Sequence, residues 1–223
     1  MDSPSPIFRP RPVDRQPIFN APPGTVFLCA TIVLAHLARV LLPYSLQHAL
    51  IERFAFVPAA FLAQFGPGAE GLSAGELISL LSYALLHGDA MHLFLNVGLL
   101  LAFGSLIERR IGCARMLVVF VVSCILAALV QAFAVGSVAV AVIGASGGVY
   151  GLLGAAIPFL FRGGSNALTF IAVVMGINVL VAFVGVEVFG DGAGIAWQAH
   201  IGGFFAGLIA MRLLMPGPLL RRG

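Results

Sequence analysis

Ser146 and His200 are the two residues of this sequence whose types and surroundings could do chemistry together. Ser146 lies in Gly144-Ala145-Ser146-Gly147, inside an apolar stretch without charged residues that runs from 116 to 161. His200 lies in a later apolar segment, where placing an ionisable imidazole in hydrocarbon costs several kcal/mol and marks a functional candidate. A serine with such a base is typical of a hydrolase, so the pair predicts a serine hydrolase whose active site lies inside a bilayer.

A second set of polar residues lies in the apolar segment that is expected to form the second helix. His92 and Asn96 are four residues apart and share one helix face, with His87 near the start of the same segment. Histidine and asparagine commonly form hydrogen bonds between membrane helices, and on their own these residues favour that interpretation.

Small residues surround both members of the Ser146–His200 pair. Ser146 is expected at the N terminus of a helix, where free N–H groups favour developing negative charge, and Tyr150 follows on the same face. Gly203 and Gly207 share a face with His200 and predict a groove that lets the two helices approach closely. No carboxylate is well placed to orient His200, so a dyad is expected, with the ring or hydroxyl of Tyr150 positioning the imidazole.

The elements that must position these residues are transmembrane helices. Apolar residues make up 60% of the 223 residues and charged residues only 9%, and the mean hydropathy is +1.06. A soluble domain carries about 25% charged residues, so the composition excludes one. The net charge of +3 does not indicate nucleic-acid binding, because all twelve basic residues are arginines placed around the apolar segments. Cys29, Cys113 and Cys124 lack CxxC spacing and are expected to be packing residues.

Six segments are long enough for transmembrane helices, each of which needs roughly 20 apolar residues. We therefore expect an all-α polytopic membrane protein with a six-helix domain at 25–214. A short disordered tail at 1–24 and a C-terminal tail at 215–223 flank it. The expected helices lie near 25–42, 88–108, 115–135, 146–161, 163–186 and 195–214.

The arginines predict the orientation of these helices. With a cytoplasmic N terminus, ten of the twelve arginines fall on the inside, and only Arg39 and Arg53 fall outside. Both termini are therefore expected to be cytoplasmic. A bacterial inner membrane fits this pattern best, with an organelle membrane as the alternative.

The loop at 43–86 is long, lies on the outer side and is rich in apolar residues. Long loops of this kind are often functional. We expect part of it to form an amphipathic segment in the membrane interface, the alternative being a poorly packed connector. The residues that suggest this segment are Phe54, Phe56, Val57, Phe61, Leu62 and Phe65.

Taken together, the polar motifs resemble those of the rhomboid family of intramembrane serine proteases. The resemblance covers about residues 25 to 214, and the motifs occur in order on the expected helices. They are His87-x4-His92-x3-Asn96, Gly104-x3-Glu108-x3-Gly112, Gly144-x-Ser146-Gly147-x2-Tyr150 and Ala199-His200-x2-Gly203-x3-Gly207.

The resemblance implies a role for each matching position. Ser146 would be the nucleophile, and His200 would be the base and then the acid for the leaving amine. An oxyanion hole would come from His92, Asn96 and the backbone N–H of Ser146. The family fold is a six-helix bundle with a hydrated cavity open to the outer side, gated by the fifth helix and the loop before the sixth. The remaining positions would be supporting or structural: Tyr150, Gly144, Gly147 and His87 near the site, Gly203 and Gly207 in helix packing, and Glu108 tying the cytoplasmic loop.

The expected activity is cleavage of single-span or polytopic membrane proteins near the outer face of the bilayer. No cofactor, metal or nucleic-acid partner is expected, and the sequence does not predict an oligomeric state. Two alternatives stay open. One is an inactive rhomboid-like protein that binds membrane proteins, although that class usually lacks the nucleophile or the base. The other is a small transporter, which would require an internal repeat that the sequence does not clearly show.

Overall fold

The computed structural model describes residues 20–68, 71–137, 139–161, 166–189 and 196–215, and for 182–189 it describes the backbone alone. Regular structure within these ranges is helical, apart from one antiparallel bridge between Phe56 and Val142. The helices are α1 Pro23–Val40, α2 Tyr44–Phe54, α3 Pro58–Ala63, α4 Ala74–Ser82, α5 Ala90–Ile111, α6 Cys113–Val135, α7 Ser146–Leu160, α8 Ala167–Phe189 and α9 Trp197–Leu214. A 3₁₀ turn, Tyr83–Leu85, extends α4.

The predicted long helices correspond to α1 and α5 to α9, and their ends agree with the expected ranges to about one helical turn. In the described residues, α1, α5 and α6 are long and apolar enough to cross a membrane. Shorter apolar helices are present in α7 and in the described part of α8. The chain is thus an all-α integral membrane protein.

Helix α7 lies at the centre of the bundle, with nearly all of the stretch from Gly147 to Ile157 buried. Its glycines allow the neighbouring backbones to come close. A Cβ atom added at Gly203 of α9 would overlap the carbonyl oxygen of Gly147, and one added at Gly207 would overlap that of Gly151. The groove predicted from Gly203 and Gly207 is therefore present, and it brings α9 directly against α7.

The segments that start the two central helices have clear local causes. Asp89 caps α5, since its carboxylate accepts a hydrogen bond from the backbone N–H of His92 at 2.8 Å. Gly144 has a φ of 117°, a conformation that side chains disfavour, and it turns the chain into α7. These two helix starts therefore determine where His92 and Ser146 lie in the folded protein.

The loop at 43–86 forms the short helices α2, α3 and α4, and two of the aromatic residues that suggested an interfacial segment point into the bundle. Phe56 separates α2 from α3 and is fully buried, and Phe61 is 4% exposed. The ring of Phe56 packs 5.6 Å from that of Phe61 and 6.3 Å from that of Tyr83. These rings belong to the hydrophobic core, and only Phe65, at 64% exposed, remains outward. Phe56 and Phe61 thus pack against the bundle, and a position of this segment in the membrane interface stays a prediction.

Candidate active site

Ser146 and His200 lie in direct contact in the folded protein. The Nε2 atom of His200 is 2.7 Å from the Oγ atom of Ser146. Ser146 is the first residue of α7 and His200 lies in the first turn of α9, so the glycine packing of these helices brings the two side chains together. This distance falls in the range that a general base needs to take a proton from a nucleophile.

The other ring nitrogen of His200 contacts a residue that the sequence interpretation missed. Its Nδ1 atom is 2.6 Å from the Oδ1 atom of Asn178 on α8. The amide nitrogen of Asn178 donates a hydrogen bond to the carbonyl of Trp197 at 3.1 Å. The sequence offers no well-placed carboxylate for His200, and an amide was not expected in this position. A polar amide inside an otherwise apolar helix was the signal that would have revealed Asn178.

Tyr150 supports the imidazole with its ring. The rings of Tyr150 and His200 are stacked, with centroids 4.3 Å apart and planes at 6° to each other. The sequence left open whether the ring or the hydroxyl of Tyr150 contacts the imidazole, and in the structure it is the ring. Stacking limits tilting of the imidazole, which keeps Nε2 directed at Ser146.

The turn before Ser146 is held by two residues from the segment that precedes α5. The backbone N–H of Gly144 donates to the carbonyl of Tyr83 at 3.0 Å. That of Ala145 donates to Nε2 of His87 at 3.3 Å. His87, whose supporting role was unspecified, therefore holds the entry to α7. The ring of His92 packs so closely on Gly144 that a Cβ atom there would lie 2.7 Å from it.

The contact with Ala145 requires a neutral His87, since Nε2 must accept the hydrogen bond. Burial, followed by the nearby His92, lowers the pKa of His87 from 6.5 to about 4. Between these two pH values the unfolded chain binds more protons than the folded protein does. The contribution of His87 to the free energy of unfolding is therefore complete above pH 6.5 and falls as the pH is lowered towards 4.

The expected oxyanion donors differ in how their N–H groups are engaged in the structure. The first bond of α7 runs from Val149 N to Ala145 O at 3.0 Å. The N–H groups of Ser146 and the next two residues thus have no acceptor within the helix. Asn96 is 5% exposed, and its amide nitrogen donates to the carbonyl of His92 at 2.9 Å. An amide carries two N–H groups, so this bond leaves Asn96 with a second donor.

Two further polar residues fix the helices that carry the site. Gln131 on α6 accepts a hydrogen bond from Ala199 N at 3.0 Å, which secures the first turn of α9 next to His200. Glu108 at the end of α5 accepts bonds from Gly24 N at 2.9 Å and from Thr25 N at 2.6 Å. Glu108 is structural, but it caps α1 and does not tie the loop that follows α5. Helix α6 begins almost at once after α5, so that loop is too short to need it.

The three cysteines occupy different environments. Cys29 and Cys124 are buried in the bundle and Cys113 is exposed, and all three are free thiols. Cys29 and Cys124 thus pack in the core as predicted, and the sulfur of the exposed Cys113 lies so close to Gly24 that a Cβ atom there would overlap it.

The chain is similar in sequence to several known rhomboid proteins. The family model of the Rhomboid domain matches residues 74–217, which is more than half of the chain. RHOMBOID-like protein 5 of Arabidopsis thaliana is 29% identical over 150 residues, covering 65% of this chain and 46% of the relative. Rhomboid-like protease 5 of Toxoplasma gondii is 31% identical over 138 residues, covering 60% of this chain and 16% of the relative. Rhomboid protease GlpG of Haemophilus influenzae is 29% identical over 140 residues, covering 60% of this chain and 68% of the relative.

The chain spans less than half of the length of the plant and Toxoplasma relatives that it matches. These relatives come from a plant, from Toxoplasma and from a bacterium, so they give no support to a bacterial inner membrane in particular. The matched region contains α4 to α9 and therefore every residue of the site described above. The chain belongs to the rhomboid family.

Proposed function

We propose that this chain is a serine endopeptidase that cleaves the transmembrane segments of other membrane proteins near the outer face of the bilayer. The observation that carries the proposal is the 2.7 Å distance between His200 Nε2 and Ser146 Oγ. The relative from Haemophilus influenzae is named a rhomboid protease, and the one from Toxoplasma gondii a rhomboid-like protease. Both names agree with the chemistry that this pair can perform.

The reaction begins when Ser146 Oγ bonds to the carbonyl carbon of the scissile peptide. His200 Nε2 takes the hydroxyl proton, and the carbonyl oxygen becomes an oxyanion. The C–N bond then breaks, and the imidazolium gives its proton to the leaving amine. Water next attacks the acyl-enzyme, His200 accepts a proton from it, and the carboxylic acid leaves as Ser146 recovers its proton.

We propose that the oxyanion is stabilised by three groups of N–H donors. The N–H of Ser146 lies at a helix N terminus, where the helix dipole favours negative charge. We assign the His92 ring and the remaining amide N–H of Asn96 as further donors. Each donor of this type contributes about 10²–10³-fold to the rate in serine hydrolases.

The bilayer orientation follows from the charges and from the site. We propose six spans within residues 25–214 and two cytoplasmic termini, because this arrangement leaves ten of the twelve arginines inside. Ser146 then lies towards the outer side, where water can reach it for hydrolysis. A substrate helix has its peptide groups bonded internally, so it must unwind locally before cleavage. Substrates with helix-breaking residues near the outer face are therefore favoured.

Nucleophile labelling tests the proposal without knowledge of the natural substrate. Purified protein treated with a fluorophosphonate should be labelled at Ser146, and a model transmembrane substrate should be cleaved. Ser146→Ala abolishes both signals because the nucleophile is gone, and His200→Ala abolishes them because the hydroxyl is no longer deprotonated. Matched controls are Ser105→Ala on α5 and His48→Ala on α2, which lie outside the site and should keep full activity.

An inactive membrane-protein binder gives a different result in the same experiment. Its Ser146 stays unlabelled, the substrate remains intact, and the substrate co-purifies equally with the chain and with Ser146→Ala. Undiminished cleavage by either Ser146→Ala or His200→Ala would reject the dyad itself.

A further inference from the structure

Asn178 is buried at the point where α8 meets the catalytic pair. Its side chain is 3% exposed, while its neighbours Ile177 and Leu180 are 55% and 60% exposed on the outer face of α8. A polar amide inside an apolar helix needs partners for both of its ends. Asn178 has them in the Trp197 carbonyl and in His200 Nδ1.

The two partners of Asn178 determine where the proton of His200 lies. The Trp197 carbonyl can only accept, so the end of the amide that faces it must be the NH₂ group. The oxygen of the amide therefore faces His200 Nδ1, and at 2.6 Å it accepts a hydrogen bond from an Nδ1–H group. A neutral imidazole carries one proton, so Nε2 then presents a lone pair to the hydroxyl of Ser146.

We propose that Asn178 is a positioning residue that holds the proton of His200 on Nδ1 and thereby keeps Nε2 ready to act as the base. Ser146, His200 and Asn178 form a hydrogen-bonded chain of three side chains, each from a different helix. The proposal deepens the proposed function, on which its catalytic consequence rests. The position of the proton itself does not depend on any catalytic activity.

Because Asn178 lies on α8, the orientation of the His200 imidazole depends on the packing of α8 against the bundle. Ser146 and His200 lie on α7 and α9, whose backbones interlock through glycines. Helix α8 is held instead by side chains such as Phe170, Val174 and Met175, which pack on Leu153 and Phe204. A displacement of α8 thus breaks the Asn178–His200 bond while leaving the Ser146–His200 contact in place. A substrate that moves α8 aside must let it return before the imidazole is fully oriented.

The proton position is measurable by ¹⁵N NMR of the histidine side chains in the intact protein. Spectra of wild type and of His200→Gln assign the His200 signals among the five histidines. We expect the Nδ1-protonated form in wild type and a shift towards the Nε2-protonated form in Asn178→Leu, which keeps the branching at Cγ but has no acceptor. Wild-type protein with its proton on Nε2 overturns the proposal. This measurement needs no substrate, so it stands or fails separately from the endopeptidase activity.

The rate of Ser146 labelling by a fluorophosphonate gives a second readout. Asn178→Leu should lower this rate and kcat by about tenfold to a hundredfold with KM unchanged, since one buried hydrogen bond to the base is lost. Asn178→Asp keeps an oxygen acceptor and should recover part of the rate. Ile177→Ala, next to it on the exposed face, is the control for α8 and should match wild type. Labelling of folded Asn178→Leu at the wild-type rate contradicts the proposal.

Discussion

The reactivity proposed for Ser146 depends on the environment of one imidazole rather than on the serine itself. His200 is contacted on three sides, by Ser146 at Nε2, by Asn178 at Nδ1 and by the ring of Tyr150 on its face. Helical spacing predicted the Ser146 and Tyr150 contacts, because both residues share one face of α7. It did not predict Asn178, because no motif or spacing connects a residue of α8 with one of α9.

Asn96 gives the clearest prediction for a single residue of the proposed oxyanion hole. We expect Asn96→Ala to lower kcat by about tenfold to a thousandfold with little change in KM, because the amide stabilises charge that develops only in the transition state. Steady-state cleavage of a model transmembrane substrate measures both constants. An unchanged kcat together with a lower melting temperature would return Asn96 to a role in helix packing alone.

At the scale of the elements, the site is an interface between helices that approach at backbone distance. Gly203 and Gly207 of α9 face the carbonyls of Gly147 and Gly151 of α7, so no side chain separates the two backbones. Small residues are the general means by which membrane helices approach closely, since apolar side chains gain little by leaving lipid for another helix. The catalytic contact is a consequence of this packing.

Substitution at the glycine interface should therefore separate His200 from Ser146. Gly207→Ala places a methyl group against the carbonyl of Gly151 and should destabilise the fold by about 1–3 kcal/mol. We expect a lower melting temperature and a reduced rate of Ser146 labelling. The matched control is Gly98→Ala on α5, where a Cβ atom meets nothing within 4 Å. Equal behaviour of the two variants would show that close packing of α7 and α9 is not required.

At the scale of the whole molecule, one end of the bundle holds the two arginines that end α5 and the cap of α1, and the proposed catalytic residues lie towards the other end. Arg109 and Arg110 end α5, where Glu108 caps the start of α1 through Gly24 and Thr25. The turn into α7 and the helices of the 43–86 loop lie with the site, as the bridge between Phe56 and Val142 shows. The two ends of the bundle thus differ in composition as the proposed orientation requires.

Cys113 provides a natural probe of this orientation. It is exposed between Arg110 and Arg115, whereas Cys29 and Cys124 are buried. A membrane-impermeant maleimide should label the protein in inside-out vesicles and leave it unlabelled in right-side-out vesicles. Cys113→Ser should remove the signal. Labelling from the outer side would invert the proposed topology.

The sequence by itself determined the membrane class, the approximate position of each long helix and the candidate residues Ser146 and His200. These properties are local, because hydropathy and helical spacing act between residues close together in the chain. Only the tertiary structure decided that Asn178 contacts His200, that Glu108 caps α1 and that Phe56 and Phe61 are buried. Each of these depends on which helix packs beside which. Helical spacing tells which face a residue occupies, but the neighbour that meets that face is set by the packing of segments distant in the chain.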